Sequence, residues 1–284
     1  MRRNRGFTLI EMIMTMVMTG ILAGMVAVFI ARPIEGYIAS GRRAALTDTA
    51  DLAIKRMAID LHTAVPNSIR LRSTGSSSVT SCSASLSSTC YLEYLPTRSG
   101  GRYCTDTDVC PTSGGELSFS TSNDYFDILG PAHDILDTDF LVIYNTGQTG
   151  LNAYAGNNIR AVSSHTASGV TVSGTAFPFA SPSSRFQAVP STGPVTYACD
   201  SVAPGSTGTG NLHRYTSYAT TLPFGATQPM PGTGGALLAD RLTACSFTYD
   251  AASATDGIVT IQLTLTRDSE SVTLRQQVHV ENIP

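Results

Sequence analysis

From Phe7 to Ala31 the chain reads FTLIEMIMTMVMTGILAGMVAVFIA, an apolar run of 25 residues broken by one charge, Glu11. A helix of about 20 residues, rising about 1.5 Å per residue, crosses the hydrocarbon core of a bilayer, so the run is long enough to span one. It follows a short basic leader, MRRNRG. A secretory signal has a shorter apolar region with its cleavage site after it, whereas here the leader stops before the apolar run begins. A carboxylate in such a helix costs about 2.5 to 3.5 kcal/mol at the membrane centre and less near an end, so Glu11 calls for a partner. Gly20 and Gly24 form a GxxxG, and Ala23, Ala27 and Ala31 recur every fourth residue, which lets helix backbones approach closely.

Beyond Ala31 the pattern becomes amphipathic. Arg32 and Pro33 close the apolar run, and Gly36 and Gly41 weaken the helix, which predicts a bend or break between Pro33 and Gly41. From Arg42 to Val65 a helical stripe resumes. Ala50, Ala53, Ile54, Met57, Ala58, Leu61 and Ala64 share one face, while Asp51 with Lys55 and Arg56 with Asp60 sit four apart on the polar side. Pro66-Asn67 ends it.

The remainder alternates with a period of two. Val259, Ile261, Leu263 and Leu265, then Val272, Leu274, Val278 and Val280, predict an antiparallel hairpin turning at residues 267–270. Further strands are expected at Tyr91–Leu95, Leu117–Ser120, Tyr125–Leu129, Phe140–Tyr144, Val195–Cys199 and Cys245–Tyr249. The stretches Ser73–Ser88, Ser201–Gly210 and Thr227–Gly235 are rich in Ser, Gly, Pro and Thr and read as surface loops. The expected architecture is α+β, a long N-terminal helix packed on an antiparallel sheet. The chain divides into a leader (1–6), a membrane or filament-core helix (7–32), its amphipathic continuation (33–66) and a β-rich globular part (67–284).

The formal charge of −3, with no basic patch, argues against a nucleic-acid partner. The positive-inside rule leaves the topology open, because arginines flank the apolar run on both sides. Six cysteines, an even number, point to disulfides and an oxidising compartment. Six allow 15 pairings; the sequence-local choice is Cys82 with Cys90, Cys104 with Cys110, and Cys199 with Cys245. No GxSxG, HExxH or P-loop occurs, and His62, His133, His165, His213 and His279 are scattered, so no enzyme is expected. No cofactor is expected. Asp134, Asp137 and Asp139 offer calcium ligands without EF-hand spacing, and a turn entering a strand explains them equally well.

Arg5-Gly6-Phe7-Thr8-Leu9-Ile10-Glu11 resembles the processing site of type IV prepilins and type II secretion pseudopilins. The resemblance implies that a prepilin peptidase cuts between Gly6 and Phe7 and methylates the new amino group. It also implies that Glu11 docks against the Phe7 amine of a neighbouring subunit; the two residues are one helical turn apart, so a pair within one chain is the alternative. Two poorly solvated opposite charges in an apolar filament core gain by meeting. Cysteine number, length and loop content favour a minor subunit. Ala44-Ala45-Leu46-Thr47-Asp48, Val65-Pro66-Asn67-Ser68-Ile69-Arg70, Tyr144-Asn145-Thr146-Gly147-Gln148, Leu238-Ala239-Asp240, Cys245-Ser246-Phe247 and Leu274-Arg275-Gln276-Gln277-Val278-His279-Val280 are similar to minor pilins of mannose-sensitive haemagglutinin pilus systems. The implied setting is a single-pass inner-membrane protein with a periplasmic domain, later part of a surface pilus. The implied partners are major and minor pilins, the prepilin peptidase and the inner-membrane assembly platform; the alternatives are a tip adhesin and a J-like pseudopilin.

Overall fold

The computed structural model describes residues 7–74, 76–120, 125–131, 133–225, 234–251 and 255–284. The leader, with Gly6, and most of Thr227–Gly235 lie outside the described residues.

One helix, α1 (Leu9–His62), runs for 54 residues. The break expected between Pro33 and Gly41 is absent. Pro33 lacks one amide donor, and the hydrogen-bond ladder resumes on either side of that single gap. The second half of α1 is amphipathic as its sequence requires. Leu46, Ala50, Ala53, Ile54, Met57, Ala58 and Leu61 are buried, and Ala64, just past the helix, packs against the same core.

The helix lies on an antiparallel sheet, giving the α+β fold that the pattern predicts. Its strands are β1 (Arg70–Ser73), β2 (Ser76–Val79), β3 (Ser81–Ser83), β4 (Cys90–Tyr94), β11 (Val195–Asp200), β12 (Gly210–Tyr215), β13 (Ala236–Asp250), β14 (Asp256–Arg267) and β15 (Glu270–Glu281). The order is β15-β14-β13-β12-β11-β4-β1-β2, with β3 joined to β13. The C-terminal hairpin pairs in unbroken register from Arg267 with Glu270 to Asp256 with Glu281. Val259, Ile261, Leu263, Leu265, Val278 and Val280 are buried beneath α1, and Val272 and Leu274 are half-buried beside them.

Between the neighbouring strands β4 and β11 the chain leaves the sheet and builds a barrel. This comprises β5 (Ser99–Tyr103), β6 (Tyr125–Leu129), β7 (Phe140–Val142), β8 (Ile159–His165), β9 (Gly169–Val172) and β10 (Arg185–Val189), closed in the order β10-β5-β6-β9-β8-β7. Its core stacks Tyr103, Phe126 and Phe186 edge to face, with ring centroids 6.0 to 6.3 Å apart. Gly101 faces this core: a Cβ there would sit 2.8 Å from the Phe186 ring, so no larger residue fits without displacing it. A third cluster, including Val65, Leu95, Phe140, Tyr154, Val189 and Phe224, fills the junction between barrel, sheet and helix end.

Three expectations are corrected. Ser73–Ser88 is not one loop: it contains β2 and β3, where Val79 and Cys82 face the core and the serines of β3 face out. Leu117–Ser120 forms no strand; Leu117 is buried and held by a bond from its N–H to the Cys104 carbonyl (2.9 Å). The strand at Phe140 ends at Val142, because Tyr144 adopts φ 54°, which an extended strand does not allow.

Disulfides join Cys82 to Cys90, Cys104 to Cys110 and Cys199 to Cys245. The last closes a separation of 46 residues and ties β11 to β13 across β12. Replacing Cys199 and Cys245 together by serine is expected to lower the unfolding free energy of the full chain in detergent by about 4 kcal/mol, and replacing Cys104 and Cys110 by about 2. Urea unfolding of the two double variants measures both.

Candidate functional site: the anchor helix and its seat

The amino-terminal motif is a helix start. Thr8 is the N-cap of α1, and its hydroxyl accepts from the Glu11 N–H at 3.4 Å. Threonine at the cap with glutamate three residues later is the spacing of a capping box, and it places a carboxylate in the first turn, where the helix dipole favours negative charge. Phe7 stands just outside the helix, 80% exposed, and Glu11 is exposed one turn in. Among the described residues the Glu11 carboxylate has no ion-pair partner.

The apolar half of α1 is bare. None of the residues in its most hydrophobic stretch is buried inside the chain, and the helix is long and apolar enough to cross a membrane. Gly20, Ala23, Gly24 and Ala27 are exposed, and nothing lies within 4 Å of where a Cβ would stand on either glycine. These small residues lie on one face of the helix, uncovered by any other described residue.

The other half is seated by polar contacts as well as by its apolar stripe. Asp60 is 7% exposed. Its Oδ2 accepts from the Tyr197 hydroxyl (2.6 Å) and from Arg214 Nε (2.8 Å), while Oδ1 faces Arg56 Nε at 3.2 Å. Burial and the hydrogen bond to Asp60 push the Tyr197 hydroxyl well above its ordinary value. Burial and the Asp60 charge do the same to Tyr94. For Arg214, burial alone would lower the guanidinium; hydrogen bonding and attraction to Asp60 outweigh it and hold the charge. Nearer the N-terminal end of this half, Arg42 pairs with Asp268 (3.2 Å) and Arg43 with Glu270, fixing the tip of the β14–β15 hairpin to the helix.

A second network joins sheet to barrel. Glu93, buried on β4, pairs with Arg70 (2.5 Å) and accepts from the Tyr218 hydroxyl (2.8 Å). Arg70 stacks 3.5 Å from the centre of the Tyr154 ring and donates to the Gly225 carbonyl.

The aspartates considered for calcium do not converge. Asp139 is buried against Arg98 (3.1 Å), Asp137 pairs with His165 (2.6 Å) and Asp134 is exposed. Among the described residues no group of three or more His, Cys, Asp or Glu side chains could hold a metal. Sequence reasoning missed the role of Asp60, which it placed on the polar face with Arg56. The signal lay in its spacing, since Asp60 follows buried Ala53 by seven residues and so borders the core stripe.

The family described as prokaryotic N-terminal methylation motif matches residues 1–27. The chain therefore carries the methylation motif typical of type IV pilin-like proteins. Its long helix on an antiparallel sheet is the pilin-like α+β arrangement, and motif and fold together match a non-catalytic family. Neither the curated proteins nor the solved structures gave a match to the chain.

Removing the Asp60 carboxylate in Asp60→Ala leaves Arg214 and Tyr197 without their acceptor and is expected to cost about 2 to 4 kcal/mol in urea unfolding, against about 1 for Tyr197→Phe. The raised tyrosines also fix a pH dependence. Folded Tyr94 and Tyr197 keep their protons where the unfolded chain's tyrosines, at the ordinary value of 10.0, lose theirs. The unfolded state then binds fewer protons, so stability is full below about pH 10 and falls above it. A urea-midpoint series from pH 8 to 11 measures this, and Tyr197→Phe is expected to flatten the fall.

Proposed function

We propose that this chain is a minor pilin of a type IV filament, of the MshO type found in mannose-sensitive haemagglutinin pilus systems, that takes part in starting assembly and sits near the tip. The observation that carries the reading is the methylation motif leading into a helix whose apolar half is bare in its own chain. In this reading residues 1–6 are the leader and prepilin peptidase cuts between Gly6 and Phe7. Residues 7–32 wait in the inner membrane and then enter the filament core. Residues 33–66 carry the periplasmic remainder.

Glu11, facing outward one turn into the helix, is the docking group for the methylated Phe7 amine of a neighbouring pilin. The bare strip around Gly20 and Gly24 packs against that neighbour's helix. A barrel inserted beside the sheet makes a bulky subunit, which fits a few copies at one end of a filament better than a repeating shaft. A J-like pseudopilin of type II secretion would use the same anchor in the same way.

A tip adhesin is the second reading. A cleft of about 650 Å³ on the barrel, bordered by Tyr103, Asp106, Leu117, Phe119 and Ser184, favours it as a place for a surface ligand.

Glu11→Gln keeps the helix and removes the charge. It is expected to leave the protein in the membrane at its normal level while reducing the amount recovered with sheared pili to background, as read by immunoblot. Undiminished recovery would overturn the docking role. Deletion of the gene is expected to abolish surface pili by electron microscopy. Normal piliation with lost attachment would favour the adhesin instead.

A further inference from the structure

Strand β15 forms one margin of the nine-stranded sheet, and among the described residues no strand pairs with its outer edge. Long open edges are normally blunted by shortness, lysine, proline or a bulge, because their free backbone groups recruit other chains. The opposite margin obeys this: β2 has four residues, and its pairing with β1 is irregular. β15 has twelve residues, no proline, no lysine and an unbroken register, and between its charged ends it carries a single fixed charge, Arg275.

The register identifies the free groups. Asp268 and Ser269 both have positive φ, 50° and 68°, and close a two-residue hairpin turn, which makes Arg267 and Glu270 a hydrogen-bonded pair. Every second residue from Glu270 therefore turns its N–H and C=O toward β14. Ser271, Thr273, Arg275, Gln277, His279 and Glu281 turn theirs to the open edge, and all six are exposed. Arg275, at the middle, faces neutral Gln262 across the pair and has no ion pair among the described residues.

The helix gives the edge a direction. β15 begins where Arg42 and Arg43 hold Asp268 and Glu270, and ends where Asn67 bonds Asn282. It thus rises alongside α1 in the same sense, away from the membrane. A second copy anchored in the same membrane presents a β15 rising the same way, so two β15 strands could pair only in parallel, the less stable arrangement per residue.

We propose that the open edge of β15 is a β-augmentation site for an extended segment of a different pilus subunit. That segment runs antiparallel, back toward the membrane. It sets a carboxylate opposite Arg275 and apolar side chains at alternate positions, which extend the face formed by Val272 and Leu274. The direction of the partner rests on the membrane-anchored reading; the free edge does not.

The test places a photoreactive amino acid at Thr273 in the full chain, in its own cells, and identifies the adduct by mass spectrometry. An adduct to a strand-forming segment of a different subunit is expected. Gln277→Pro removes an outward N–H and no bond to β14, and Arg275→Glu leaves the backbone unchanged; each is expected to reduce the adduct about tenfold. Thermal melting of both variants checks the fold, and Arg275→Glu alone decides the matter if the proline variant unfolds. Adducts formed only between two copies, no adduct in piliated cells, or an adduct that Arg275→Glu leaves unchanged would overturn the proposal. Recovery of Glu11→Gln with pili overturns only the docking role of Glu11; a chain not cut between Gly6 and Phe7 sinks the pilin reading and leaves this readout intact, whereas normal pili with a bare edge sink only the edge proposal.

Discussion

Among the described residues the first half of α1 has no surface to lie against. Phe7, Leu9, Ile10, Phe29 and the apolar residues between are at least half exposed, and water would solvate them badly. A lipid bilayer or a bundle of apolar helices relieves this. Everything else in the molecule is built around holding the second half of the same helix firmly enough that the globular part follows it.

That hold is partly apolar and partly electrostatic. The stripe from Leu46 to Leu61 buries against the C-terminal hairpin, while Asp60 at one end and Arg42 and Arg43 at the other fix where along the sheet the helix sits. Apolar packing tolerates sliding by a turn; a buried carboxylate gripping Tyr197 and Arg214 does not. The Glu93 cluster plays the same part between sheet and barrel, so the insertion between β4 and β11 is keyed to the sheet at Arg70 and Tyr154.

The parts legible in the sequence are those where one environment acts along many residues. The apolar run, the amphipathic stripe and the alternating C-terminal hairpin each repeat a single instruction over a dozen or more positions. The barrel was not legible. β7 (FLV) is buried on both faces and shows no alternation, β5 (SGGRY) carries glycines where Phe186 needs room, and β8 reads IRAVSSH as it passes from core to solvent. Closure depends on pairings between distant strands that no local pattern encodes. Pro33 does not break the helix, because a helix of 54 residues absorbs one missing bond. At the site, Glu11 stood out as the one charge in the apolar run, the Thr8 cap was not read from the sequence, and the seat of Asp60 depends on Tyr197 and Arg214, more than 130 residues away.

The central claim is that this chain is processed and used as a pilin. The most direct measurement is the N-terminal mass of the protein purified from its own membranes. The account predicts a chain beginning at N-methylated Phe7. A chain retaining Met1, or one cut beyond Ala31, would contradict it.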